Sequence, residues 1–259
     1  MDFSGWVGLA ATTAAAALLY TISGFGFAVL AAPLFLLFVD PAQAIQLVII
    51  ISTALSLVVI PGLRRAVAPG LLLRLAFGSL AGLPLGVVAF RHADPVLVRE
   101  AVGGIIFGFA VLMAVTRRDQ PVVRKYWTPL AMTPARDLVA GAISGTAAAL
   151  VGMAGPPVLI YLLLAGAAAR TVRATLLAFF ALSYGATLVS HAVTIGIPGA
   201  TWLAAGILIP FAILGGLAGR PLGDRLGAEA FSILAISLLA AAGLYTAVAA
   251  TADLVARHQ

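Results

Sequence analysis

The 259-residue chain has no cysteine, and only 9% of its residues are charged. Each shortage excludes something. Without cysteine there is no disulfide and no thiolate metal or redox site, and cysteine usage points to no compartment. A soluble domain carries about a quarter charged and about half apolar residues, whereas this chain is 63% hydrophobic. The longest polar stretch, around 117–136, is too short to be a soluble domain. No metal site and no cofactor are expected. The net charge of +6 does not imply nucleic acid, because the basic residues stand in loops, where membrane topology explains them. The N-terminal Met-Asp-Phe-Ser lacks a basic n-region, so no cleavable signal peptide is expected.

Charge is also missing from the middle of the apolar runs. All nine acidic residues fall at expected helix ends, in loops or at the termini. Proton and sodium carriers usually hold a buried acid at their site, so a cation bound by carboxylate is disfavoured. No Arg or Lys stands at mid-run to pair with an anion. Arg74 lies one turn into its helix and can snorkel to the headgroups.

What is present is a succession of apolar runs of 18 or more residues, the pattern of an all-α polytopic membrane protein. The first run, 5–39, would make a helix of roughly 50 Å against a hydrocarbon core of about 30 Å. A run that breaks at Ser23-Gly-Phe-Gly-Phe27 and returns fits better. Asp40-Pro41 starts a helix to about residue 60, with Asp at the cap and Pro at its first position. Helices over 70–90 and 96–115 follow, and then the basic linker 117–136. The second half repeats the plan: a broken run over 137–169, then helices over 172–194, 201–217 and 228–250. The second break is Gly152-Met-Ala-Gly-Pro-Pro157, where two glycines and two prolines rule out an unbroken helix.

The halves match in detail. Leu80-Ala-Gly-Leu-Pro-Leu-Gly86 agrees with Leu217-Ala-Gly-Arg-Pro-Leu-Gly223 at six of seven positions. Each closes a glycine series, at 78, 82, 86 and at 215, 219, 223, which reads as a helix-packing face. Ile22-Ser23-Gly24 recurs as Ile143-Ser144-Gly145. Loop charge then tests the topology. If each broken run were a single span, Lys and Arg would divide nine to six between the two sides. If each returns to its own side, they divide twelve to three, a far stronger positive-inside signal. The first half then has three full crossings and the second half is inverted. The expected fold is therefore two inverted-topology repeats, 1–116 and 137–259, each a broken or re-entrant helix followed by three transmembrane helices. Both termini face outward, in a multi-pass protein of the inner membrane.

Irregular backbone at membrane depth is tolerated only inside protein or beside a polar cavity. An anion without a buried Arg needs neutral donors, which half-helix N-termini supply. The expected substrate-binding set is Ser23, Gly24 and Gly26 at the first break, with Ser144, Gly145, Gly152, Gly155 and Pro156 at the second. Pro156 and Pro157 bring no N–H. Ser52 and Ser56 lie four residues apart on one helix face, as do Ser183 and Thr187, and these with Tyr184 would line the walls. The competing reading is structural: glycines and prolines let helices pack and bend, hydroxyls bond their own helix carbonyls, and Tyr161 and Tyr184 belong to the core. Arg170 and Arg173 obey charge topology or gather anions at the inner mouth, and His191 is an interfacial group.

Gly24-Phe-Gly-Phe-Ala-Val-Leu-Ala-Ala-Pro33, Gly141-Ala-Ile-Ser-Gly145 through Gly152-Met-Ala-Gly-Pro-Pro157 to Tyr161, and Arg170-Thr-Val-Arg-Ala-Thr175 together resemble the TauE/SafE sulfite-exporter family of membrane permeases. Ala28, Ala31 and Ala32 stand where that family is expected to be richer in glycine. The resemblance implies a secondary transporter, not an enzyme, exporting a small sulfur-containing anion such as sulfite or an organosulfonate. Its partners are that anion and the lipid bilayer, and a homo-oligomer is left open. Two other classes compete. An intramembrane serine hydrolase would need Ser144 and His191 together, and an anion channel would need a charged ring or filter.

Overall fold

The computed structural model describes residues 3–24, 26–59, 67–94, 96, 98, 100–105, 108, 132–166 and 169–225. The principal helices are α1 Phe3–Ser23, α2 Gly26–Phe35, α3 Pro41–Val59, α4 Pro69–His92, α5 Pro134–Val151, α6 Gly155–Leu164, α7 Ala169–Thr194 and α8 Gly199–Arg225. Residues 100–105 are helical too, and no strand occurs among the described residues. Five of these helices are long and apolar enough to cross a membrane. Much of the expected 96–115 helix, most of the 117–136 linker and the expected helix at 228–250 lie outside the described residues, as do the surroundings of Gly223.

Local chemistry sets the helix starts. The Asp40 carboxylate accepts the Gln43 N–H at 2.9 Å, and Pro41 opens α3. Thr133 Oγ1 accepts the Arg136 N–H at 3.3 Å, and Pro134 opens α5. Two glycines make the breaks. Gly24 ends α1 at φ 84° and Gly152 ends α5 at φ 71°, a left-handed conformation that side chains with a Cβ rarely adopt.

Each broken run is a hairpin that comes back beside its own beginning. Phe38, just beyond α2, packs so closely on Gly8 of α1 that a Cβ there would lie 2.6 Å from its ring. In the second run, the Tyr161 hydroxyl of α6 donates to the Asp137 carboxylate at the start of α5. The arms are unequal in the same way, 21 and 10 residues in the first run and 18 and 10 in the second. At 1.5 Å per residue the long arm α1 is about 31 Å, enough to cross the hydrocarbon core. The expected return of both runs is therefore present, built from a long and a short arm.

The glycine series set the helix pairs and their directions. A Cβ on Gly78, Gly82 or Gly86 of α4 would lie 2.1, 2.0 or 2.4 Å from the carbonyl oxygen of Leu138, Ala142 or Thr146. Both sequences rise together, so α4 and α5 are parallel. Gly215 and Gly219 of α8 press in the same manner on Ala14 and Leu18 of α1, again parallel. Each half thus lays its glycine face on the long hairpin arm of the other half. Ser79 meets Ser183 and Phe90 meets His191, so α4 also parallels α7. Gly24 meets Arg173 while Tyr20 meets Phe180, so α1 opposes α7. Helices α4, α5 and α7 point one way and α1 and α8 the other.

One repeat match is not structural. Gly24 turns the first hairpin, whereas Gly145 sits within α5, where a Cβ would lie 2.1 Å from the Ser79 carbonyl oxygen. Gly145 therefore packs α5 against α4 instead of turning a hairpin. The outer faces are apolar, as lipid requires, with Phe77, Leu85, Val189 and Leu203 exposed. At the centre runs α3, with 13 of its 19 residues buried, so its serines face protein rather than lipid.

Candidate functional site

At the second break the backbone groups freed by Gly152 find side-chain partners. The Tyr184 hydroxyl donates to the Gly152 carbonyl at 3.0 Å and accepts the Ala154 N–H at 3.2 Å. Ser144 Oγ donates to the Ala154 carbonyl, and His191 Nε2 bonds the Ala149 carbonyl at 2.9 Å. Through four hydrogen bonds these three side chains satisfy polar backbone that the turn would otherwise leave buried and unpaired, which is the condition for irregular chain at this depth. Ser144 and His191 each bond a carbonyl of this break rather than one another, so the hydrolase pair is not assembled. His191 is wholly buried against Phe90. Gly155 opens α6, and Pro156 lines an apolar groove between α5 and α6 together with Val139, Ile143 and Tyr161.

At the first break, Gly24 N–H bonds the Tyr20 carbonyl at 2.7 Å, and the Thr21 carbonyl accepts from Arg173 Nη2 at 2.5 Å. The side chain of Ser23 and that of Arg170 lie outside the described residues, as do Phe25 and the surroundings of Gly26, which opens α2.

Between the breaks lies a cluster of hydroxyls and aromatic rings, with its serines on α3, Tyr20 on α1, and Phe180 and Tyr184 on α7. Tyr20 and Ser56 share a hydrogen bond of 2.8 Å. The Ser52 hydroxyl lies beside that of Tyr184 yet completes no hydrogen bond of ordinary geometry. Phe180 stands between the two tyrosines, 6.0 Å from one ring and 5.7 Å from the other. All five side chains are buried. Ser52 and Ser56 are therefore brought together as expected, and Tyr184 belongs with them.

The other wall residues are not brought to this cluster. Ser183 Oγ bonds Ser79 Oγ of α4 at 2.9 Å, and Thr187 Oγ1 donates to the Ser183 carbonyl of its own helix at 2.8 Å. For Thr187 the back-bonding alternative is the observed one. Nor do the two breaks touch one point. The first meets α7 at Arg173 and the second at Tyr184, eleven residues later (173 to 184), about 16 Å along the helix. The hairpin tips pass one another, with the hydroxyl cluster between them.

Three features escaped the sequence reading. Tyr20 gave a weak sign, the single tyrosine of an alanine-rich run, four residues before the breaking glycine. Asp137 is wholly buried although it stands in the first turn of its helix, and it pairs with Arg74 Nε at 2.6 Å. Arg74 is therefore tied across to α5 through its Nε. Arg173 reaches a helix break, where no cation was expected.

A chain whose described elements are all helices, with five of membrane length, a lipid-type outer surface and two broken-helix hairpins, is a polytopic membrane protein of the transporter kind. The family described as Sulfite exporter TauE/SafE matches residues 9–246, and the chain belongs to that family. No curated protein and no solved structure is detectably similar to it.

Proposed function

We propose that the chain is a secondary transporter that exports a small sulfur-containing anion, such as sulfite or an organosulfonate, across the inner membrane. The observation that carries this reading is the pair of hairpins whose turns overlap around a buried hydroxyl cluster. The long arms α1 and α5 point in opposite directions, which supports halves of inverted topology, 1–116 and 137–259, joined by the linker 117–136. Such halves rocking about a central site give alternating access. The anion binds between the hairpin turns, on Tyr20, Ser52, Ser56 and Tyr184. Because these side chains are buried, the anion reaches them only when a hairpin shifts. Neutral donors hold an oxyanion loosely enough to release it.

Sulfite flux in proteoliposomes tests the reading. Saturable flux with counterflow is expected of a carrier; non-saturating flux would mean a channel, and no flux of any sulfur oxyanion would reject the reading. Losing one hydrogen bond to a charged ligand costs about 1.5–3 kcal/mol. Ser52→Ala and Tyr184→Phe should therefore raise the half-saturating sulfite concentration about 10- to 150-fold in folded protein. Thr53 is a suitable control, since its hydroxyl bonds the Ile49 carbonyl of its own helix; Thr53→Ala should behave as wild type. Wild-type affinity in both test variants would remove the cluster from the transport path.

Topology has its own test. The twelve-to-three charge division supports outward termini and a cytoplasmic linker. In this cysteine-free chain, a Gln120→Cys label site should stay unreactive to an impermeant maleimide outside intact cells and react after lysis. Labelling in intact cells would overturn the arrangement.

A further inference from the structure

We infer that Arg173 is an anion-recognising side chain of the transporter, engaging an oxyanion at the first helix break through its unpartnered guanidinium Nε. The inference rests on the transport reading above and adds a charged residue at the first break.

The geometry around Arg173 is unusual for a structural arginine. Its stem is packed against Gly24, where a Cβ would lie 2.8 Å from Arg173 Cγ. Its Nη2 donates to the Thr21 carbonyl, one of the last carbonyls of α1, which places positive charge at the negative end of that helix. Its Nε is buried and has no hydrogen-bond partner. Among the described residues the ion pair formed is Arg74–Asp137, so no described carboxylate neutralises Arg173. A guanidinium carries five N–H donors in a planar fork, and holding one partly buried among helices without a counter-charge has a cost. A bound anion removes that cost. The fork suits a ligand with two or more oxygens on one centre, as in sulfite, sulfate or a sulfonate.

The position also couples the halves. Arg173 belongs to the second half but grips the turn of the first-half hairpin, 152 residues away in sequence. An anion that draws on the guanidinium competes with the Thr21 carbonyl for it. Binding therefore bears directly on the contact that holds the α1–α2 turn against α7.

The test uses purified full-length protein, with sulfite as the probe and sulfate, taurine and chloride as comparators. Phenylglyoxal modification of Arg173 in the wild type, read by mass spectrometry, should slow at least about fivefold at saturating sulfite. In proteoliposomes, Arg173→Gln should raise the half-saturating sulfite concentration about 10- to 150-fold, as expected for loss of a charge-assisted hydrogen bond. Arg173→Lys, which keeps the charge but not the fork, should fall between Gln and wild type. A purely structural arginine would lower the melting temperature without ligand and the maximal rate while leaving half-saturation unchanged. That result, or modification of Arg173 that no anion slows, overturns the inference. If Arg173→Gln does not fold, the protection measurement on the wild type decides alone. Absence of wild-type flux, with protection by chloride but by no sulfur oxyanion, would reject the proposed substrate and keep the anion site. Wild-type sulfite flux with an unprotected Arg173 would reject this inference only.

Discussion

Gly82→Leu is expected to leave little or no monodisperse protein after extraction. The reason is geometric. A Cβ at Gly82 would stand 2.0 Å from the Ala142 carbonyl oxygen, and neither backbone can yield without parting the helices. The contact is glycine-lined from both sides, because Gly141 and Gly145 of α5 press equally closely on the Leu75 and Ser79 carbonyls. Within lipid there is no hydrophobic gain from bringing helices together, so close van der Waals packing across small residues supplies the association. Overpacking a core costs about 1–3 kcal/mol even where side chains can move aside, and here the obstacle is backbone. Gly82→Ala should already lower the melting temperature. Gly215→Leu should act like Gly82→Leu, since its Cβ would meet the Ala14 carbonyl at 2.2 Å. Gly206 has nothing within 4 Å of its Cβ position, and Gly206→Leu should purify normally. Normal yield and stability of Gly82→Leu with selective loss of transport would move the glycine face from packing to the transport path.

Arg74→Ala should destabilise the protein by about 2–3 kcal/mol, and Asp137→Asn in the same chain should restore part of the loss. Asp137 is fully buried and receives one bond from Arg74 and one from Tyr161. Removing a partner from a buried pair leaves an uncompensated charge, at about 3–5 kcal/mol. The figure is lowered because Arg74 is 41% exposed and solvent screens the interaction. Asp137→Asn alone should cost less, because the amide keeps a neutral acceptor for Tyr161. Melting curves of both single variants and the double variant measure the coupling. Simple additivity would mean that the pair contributes nothing beyond its separate residues. The pair matters for architecture because it ties α4 to α5 at the place where α6 returns.

How much of this was legible beforehand depended on the range of the physics. The membrane class, the turn glycines and the helix starts follow from local terms. Run length is judged against a fixed hydrocarbon thickness, and Gly24 and Gly152 mark sites where a run must turn. The helix expected from Asp40-Pro41 to about residue 60 is α3, Pro41–Val59. The charge division likewise favoured runs that come back on themselves, and both do so, at Phe38 with Gly8 and at Tyr161 with Asp137. Ser52 and Ser56 were found because a four-residue spacing puts both on one helix face whatever that face meets.

What that face meets was beyond the sequence. Hydropathy determined that these segments cross or enter a membrane, and glycine spacing determined which faces pack tightly, because both depend on residues within a few turns. Only the tertiary structure decided that Ser56 meets Tyr20, that Ser183 turns to Ser79 instead, and that Tyr184 caps the second break while Arg173 caps the first. The Ser79–Ser183 and Arg173–Thr21 bonds join residues 104 and 152 positions apart. They depend on how far each helix is rotated about its axis when glycine faces of opposite halves lock together. In an alanine-, glycine- and leucine-rich chain, many rotations bury similar apolar area. The choice among them is made by a few backbone-to-backbone contacts and a handful of hydroxyls, which no local pattern records.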